Sequence, residues 1–145
     1  MFPNKFFLIG LVAAIFIAST GCSPNFNWRE VQGTDPAYTV LLPAKSSIHS
    51  RTVDLDGLHV TMTMTAAEAD DVSFAVASIK VDDESQRHAA LLAMQKAMLQ
   101  NIHGDIAQQK VIALKNGTTM TEIHATGKTS SGSQLSLFAR FGENG

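Results

Sequence analysis

The chain of 145 residues is poor in the residue types that most recognisable chemistry depends on: it has one Cys, one Trp, one Tyr and four Pro. A lone cysteine, Cys22, cannot close an intrachain disulfide or share a metal with a second thiolate. Dithiol redox catalysis and multi-cysteine zinc sites are therefore excluded. Only 17% of residues are charged, the formal net charge is −2, and Lys and Arg never cluster. The electrostatic footprint of a nucleic-acid binder is thus missing. No phosphate-binding glycine loop, nucleophile elbow, zinc-binding helix or glycosidase-like carboxylate pair occurs. These absences point away from an enzyme and imply no cofactor.

What is there begins at the N-terminus. Lys5 precedes an apolar run from Phe6 to Ala18, which exits into Ser19-Thr20-Gly21-Cys22. A basic start, an apolar centre and a small-residue end are the layout of a secretory signal. The run is short of the roughly 20 residues a transmembrane helix needs, which weighs against a single membrane-spanning anchor with an incidental cysteine. The segment resembles a lipobox, with Ser19 where leucine is preferred. That resemblance implies cleavage before Cys22 and diacylglycerol on its sulfur. Complete processing would add three acyl chains, each buried methylene contributing about 0.8 kcal/mol, so attachment would be permanent. Ser23 stands where an aspartate marks inner-membrane retention, which implies the periplasmic face of the outer membrane, with the inner membrane as the alternative.

The expected organisation is a signal peptide over 1–21, a lipidated Cys22 with a tether over 22–33, and one domain over 34–145. That length supports one real hydrophobic core. The aromatics Phe26 and Trp28 stand out in the tether. Trp28 is read either as a ring in the headgroup region or as a lid on the domain.

From Ala37 the pattern is that of strands. Tyr38 to Leu42 is apolar and β-branched and stops at Pro43. Asp56-Gly57 lies between alternating runs and predicts a two-residue hairpin turn. In that register Leu55 faces Leu58, Val53 faces Val60, Asp54 faces His59 and His49 faces Met64. The second run divides Leu58, Val60, Met62 and Met64 from His59, Thr61, Thr63 and Thr65, giving an apolar and a hydroxylated face. A strand is expected over Val72 to Val81. The period then changes: Leu91, Met94, Met98 and Ile102, widened by Leu92 and Leu99, predict one amphipathic helix between Ser85 and Gly104. Asp82, Asp83 and Glu84 sit at its positive end. Asn116-Gly117 joins two further strands, Lys110 to Lys115 and Thr118 to Ala125. A loop over Gly127 to Gly132 leads to a last strand, Gln134 to Phe141. The expected class is α+β: antiparallel sheet with one long helix packed on it, in the order ββββαβββ.

Tyr38-Thr39-Val40-Leu41-Leu42-Pro43 followed by Lys45, the Gly57 hairpin, the helix, and then Gly117, Glu122, Gly127 and Arg140 in series resemble bacterial lipoproteins and secreted domains of PsbP type. Phe26-Asn27-Trp28-Arg29-Glu30 is similar to the start of a proteobacterial lipoprotein subgroup. Members of the group usually continue past the Arg140 strand into another aromatic-containing strand, so either a C-terminally shortened domain or a differently closed sheet is expected here.

Candidate chemistry is sparse. The five histidines show no i, i+2 or i, i+4 pair, so they read as solvated or helix-end residues. Met62, Met64 and His49 could together hold Cu(I) through soft thioethers and an imidazole. The competing reading packs both methionines in the core with Leu58 and Val60. Asp54 opposite His59 has the form of a catalytic dyad, but no nucleophile is fixed nearby, and an exposed cross-strand pair accounts for it. Glu122 and Arg140 are expected to face each other across the final hairpin as an ion pair that sets register. The alternative gives Arg140 an anionic ligand. The resulting expectation is a non-catalytic binding or assembly module of the cell envelope. It is held to the membrane by its lipid and has an envelope protein as partner. A small-ligand or Cu(I) binder is the second reading and an enzyme the third.

Overall fold

A computed structural model of the protein describes residues 26–143. The expected signal peptide, the expected lipidation residue Cys22 and Ser23 lie outside them. Eight strands and one helix follow in the order β1 (Arg29–Thr34), β2 (Ala37–Leu42), β3 (Ser47–Leu55), β4 (Leu58–Ala69), β5 (Val72–Ile79), α1 (Glu84–Asn101), β6 (Asp105–Ala113), β7 (Thr119–Lys128) and β8 (Gln134–Gly142). Among the described residues this is an α+β arrangement of antiparallel strands with a single helix. It carries one strand more than the expected order, and its strands form three small sheets, β1-β2, β3-β4-β5 and β6-β7-β8, where one sheet was expected.

The additional strand is β1, which covers residues assigned to the tether. Its strand-favouring residues are only Val31, opposite Val40, and the terminal Thr34, so the sequence pattern there is faint. Tertiary pairing supplies what propensity lacks. Gly33 lies opposite Tyr38, and the tyrosine ring packs directly over the bare glycine Cα. An aromatic ring laid across a strand glycine restores the contact area the missing side chain forfeits.

Turn chemistry fixes the other hairpins. Asp56 and Gly57 both take positive φ, 53° and 96°, as the tight turn requires. All the pairs expected across β3 and β4 are in register, including His49 with Met64 and Asp54 with His59. The β4–β5 turn uses Asp70 and Asp71, also at positive φ, which extends β4 to twelve residues. Asp is among the few non-glycine residues that visit this region readily.

Asp83 caps α1, its carboxylate accepting from the Ser85 backbone N–H at 3.0 Å and from the Ser85 hydroxyl at 2.6 Å. These bonds hold the Asp83 carboxyl below its ordinary pKa, the hydroxyl contributing most. At the far end Gly104 N–H bonds the Leu99 carbonyl at 2.8 Å while His103 takes φ 47°. Ala90 and Ala93 are the fully buried helix residues, because alanine allows the closest approach to the sheet. Leu92, expected to widen the apolar stripe, points outward and is 52% exposed. Leu91, Met98 and Leu99 pack instead on Ile123, Ala125, Ala139 and Phe141 of β7 and β8. The helix is tied at both ends of its exposed side: Lys96 Nζ reaches Asp56 of the β3–β4 turn at 3.0 Å, and His88 Nδ1 reaches Glu143 at 3.3 Å.

β4 changes its covered face along its length. Leu58, Val60 and Met62 are half-buried on one face, whereas Thr65, Ala67 and Ala69 are buried on the other. The helix touches neighbouring β3, and the β1-β2 hairpin covers the second half of β4 through Tyr38. Met64 falls past the crossover and is 40% exposed, which corrects the expectation that it packs in the core with Leu58. A twisted twelve-residue strand cannot keep one face under one partner throughout.

Candidate functional site

The hydroxylated face of β4 is the floor of a cleft of about 870 Å3. One wall is the β1-β2 hairpin, from Gln32 to Asp35 with Tyr38; the other runs from Lys80 to Asp83 and includes Gln86 at the start of the helix. Strand alternation places Ser50, Thr61, Thr63, Thr65 and Ser78 on this same face, since Ser50, Thr63 and Ser78 are direct cross-strand partners and the threonines are two apart. The hydroxyls are organised before any ligand arrives. Ser50 Oγ and Thr63 Oγ1 lie 2.9 Å apart, and Ser78 Oγ donates to the Thr63 carbonyl at 3.5 Å. Tyr38 Oη and Thr65 Oγ1 are 2.7 Å apart, and Thr65 is 1% exposed. Lys80 Nζ and Asp35 Oδ2, 3.4 Å apart, link the two walls at the mouth.

His59 lines the cleft but has no carboxylate behind it. Asp54, its cross-strand partner, turns its Oδ1 to the Gly57 backbone N–H at 2.5 Å, so the aspartate closes the turn and the dyad reading loses its acid. On the opposite face His49 stands beside Met64, with Arg51 opposite Met62. Arg51 brings a fixed positive charge next to the thioethers proposed for Cu(I). Among the described residues, no group of three or more His, Cys, Asp or Glu is placed to hold a metal ion.

The second polar constellation lies on the outer face of β6-β7-β8. Glu122 is directly opposite both Lys110 and Arg140. Its Oε1 is 2.6 Å from Lys110 Nζ and its Oε2 accepts from Arg140 Nε at 2.8 Å. The two long side chains roof the carboxylate, leaving it 3% exposed on a solvent-facing sheet. Their hydrogen bonds, that of Lys110 first, hold the Glu122 carboxyl below its ordinary pKa. The Arg140 guanidinium also lies 5.4 Å from the Phe138 ring centroid, and His124 meets the same ring edge-on at 4.7 Å. Both of Arg140's charge-directed contacts are thus intramolecular. The missed member is Lys110: a two-residue turn at Asn116-Gly117 would put Val111 opposite Glu122, whereas the loop spans three residues, with Leu114 N–H bonding the Thr118 carbonyl at 2.8 Å, and shifts the register by one.

Phe26, Trp28 and Phe74 form an aromatic step at the entry to the domain. Trp28 stacks on Phe26 and meets Phe74 edge-on, each at 6.1 Å, while 54% of it remains exposed. The lid reading thus has a contact in the fold. No helix among the described residues is long and apolar enough to cross a membrane.

Comparison with family models, curated proteins and solved structures found no match to this chain.

Proposed function

We propose that the protein is a lipid-anchored, non-catalytic binding module of the bacterial envelope, of PsbP-like type, and that the cleft between the β1-β2 hairpin and the β3-β4-β5 sheet is its binding site. The anchor rests on the signal layout and Cys22; the outer membrane's periplasmic face follows from Ser23. One observation carries the binding reading. The cleft hydroxyls pair with one another and with a backbone carbonyl, not with a base. A hydroxyl becomes a nucleophile when a positioned base takes its proton. A hydroxyl held by another hydroxyl serves instead as a preset donor and acceptor for a ligand.

The reading is tested by amide hydrogen exchange on the full chain in detergent micelles, with and without a soluble extract of bacterial envelope. Exchange should slow around Ser50, Thr63 and Ser78, and the cleft-filling variant Ser50→Trp should abolish the slowing. Slowing confined to other regions, or none at all, would reject the cleft as the binding site.

A further inference from the structure

We infer that the cleft takes a polyhydroxylated, non-anionic ligand, a short neutral or amino-bearing oligosaccharide; this rests on the binding reading above. Three properties of the lining converge on that class.

The first is hydrogen-bond type. Sugar hydroxyls both donate and accept, and the groups that match them without a fixed polarity are other hydroxyls and carboxamides. The floor offers Ser50, Thr61, Thr63 and Ser78, and the walls add Gln32 and Gln86. Ser50 and Thr63 bond each other at 2.9 Å, either one donating, and each keeps spare hydrogen-bonding capacity. A wholly apolar ligand would match Ile48, Leu58, Val60 and Val81 but would strand the hydroxyls and carboxamides without water, at a cost of desolvation.

The second is charge. The lining holds three carboxylates, Asp35, Asp82 and Asp83, against the single ammonium of Lys80. Asp35 engages that ammonium at 3.4 Å, and Asp83 is engaged by Ser85 in the helix cap. A phosphate, sulfate or carboxylate would thus meet three carboxylates with no second Lys or Arg in the lining to offset them, His59 being the one further basic group there. Asp82 at the rim is suited to accept from neighbouring sugar hydroxyls or from an amino group.

The third is shape and apolar content. A cleft of about 870 Å3 falls in the range of small-ligand sites and has volume for more than one ring. Ile48, 60% exposed beside Thr65, and Val81 supply apolar surface for the C–H faces of a sugar. Tyr38 is the only aromatic ring in the lining, and its hydroxyl is tied to Thr65. With one ring, affinity rests on hydrogen bonds, each with a modest net contribution.

The test uses the full chain in detergent micelles with tri-N-acetylchitotriose as a neutral probe, its de-acetylated trimer as a cationic probe and a heparin-derived tetrasaccharide as an anionic one. Binding is read by calorimetry and by amide exchange. At least one of the first two should bind with a dissociation constant of about 1 mM or tighter and slow exchange around Ser50 and Thr63. The anionic probe should bind at least about tenfold more weakly. Thr63→Val and Gln32→Ala should each weaken the neutral or cationic probe by about three- to tenfold, whereas Phe138→Ala on the distant sheet should leave it unchanged. Slowing by envelope extract without binding of either sugar would overturn the ligand class and leave the binding site standing. Loss of both effects would overturn the two together. Equal or tighter binding of the anionic probe would also overturn the ligand class.

Discussion

The Tyr38 and Thr65 hydroxyls lie 2.7 Å apart, 27 positions apart in sequence, with Thr65 1% exposed. This bond is the polar seam between the β1-β2 hairpin and the β3-β4-β5 sheet, and the cleft wall depends on it. Tyr38→Phe would leave a buried threonine hydroxyl without its partner. The expected loss is about 1–2 kcal/mol of unfolding free energy in urea, largely recovered in Tyr38→Phe/Thr65→Val, where both polar groups are gone. Additive losses in the double variant would show that the two groups act independently.

Acidification should weaken the β6-β7-β8 sheet through Glu122. Lys110 and Arg140 depress its folded pKa, so its ionised form contributes stability that is full above the ordinary carboxylate pKa of about 4.3. That contribution declines as pH falls from there through the depressed folded value. Urea midpoints of the wild type and Glu122→Gln should differ by a constant amount between about pH 5 and about pH 7, and the difference should shrink progressively as pH falls below about 4.3. A difference that grew on acidification would contradict the pairing.

The helix end docks where β7 has no side chain. A Cβ on Gly127 would run into the carbonyl of Ile102, which also accepts from Lys128 N–H at 2.7 Å. Backbone cannot step aside as a flexible side chain can. Gly127→Ala should destabilise by about 1–3 kcal/mol, seen as a lower thermal midpoint. Unchanged melting would show that the helix end is not held there.

Copper binding is expected to be absent. His49 and Met64 are neighbours, but Arg51 shares their face opposite Met62. Anaerobic titration against a chromophoric Cu(I) chelator should show no stoichiometric transfer to the wild type. Transfer that is lost in Met64→Leu would establish the site instead.

Cys22→Ser should shift the protein from the membrane to the soluble fraction or stall it as an uncleaved precursor. A wild-type membrane fraction in that variant would remove the lipid from the account.

The hairpins were legible wherever turn chemistry is explicit. Asp56-Gly57 sets the register that puts Asp54 opposite His59, and the loop centred on Ser131 fixes Glu122 opposite Arg140, whereas the Asn116-Gly117 hairpin closes through one more loop residue than a two-residue turn has. β1 was hidden because Arg29–Thr34 carries little intrinsic β preference and is secured by Tyr38 lying over Gly33. Missing β1 hid the cleft too. The row His59, Thr61, Thr63 and Thr65 is visible in the sequence, but without a covering hairpin it reads as plain solvent-facing strand. The outward turn of Leu92 and the exposure of Met64 escaped for a related reason: a periodic stripe gives a face, while neighbouring elements decide how far it is covered.

The meander layout of the sheets bears on how quickly the chain can fold. β1-β2, β3-β4-β5 and β6-β7-β8 each join strands consecutive in sequence by antiparallel pairing, with no strand threaded between distant ones. Loop-closure entropy is therefore spent in short steps, one hairpin at a time. Such local topology places folding toward the fast end of the range for β-rich domains. Each sheet can close as soon as its last strand is available, so a chain delivered from its N-terminus would form the cleft floor and its hairpin wall before the final sheet has emerged, the start of the helix then completing the second wall.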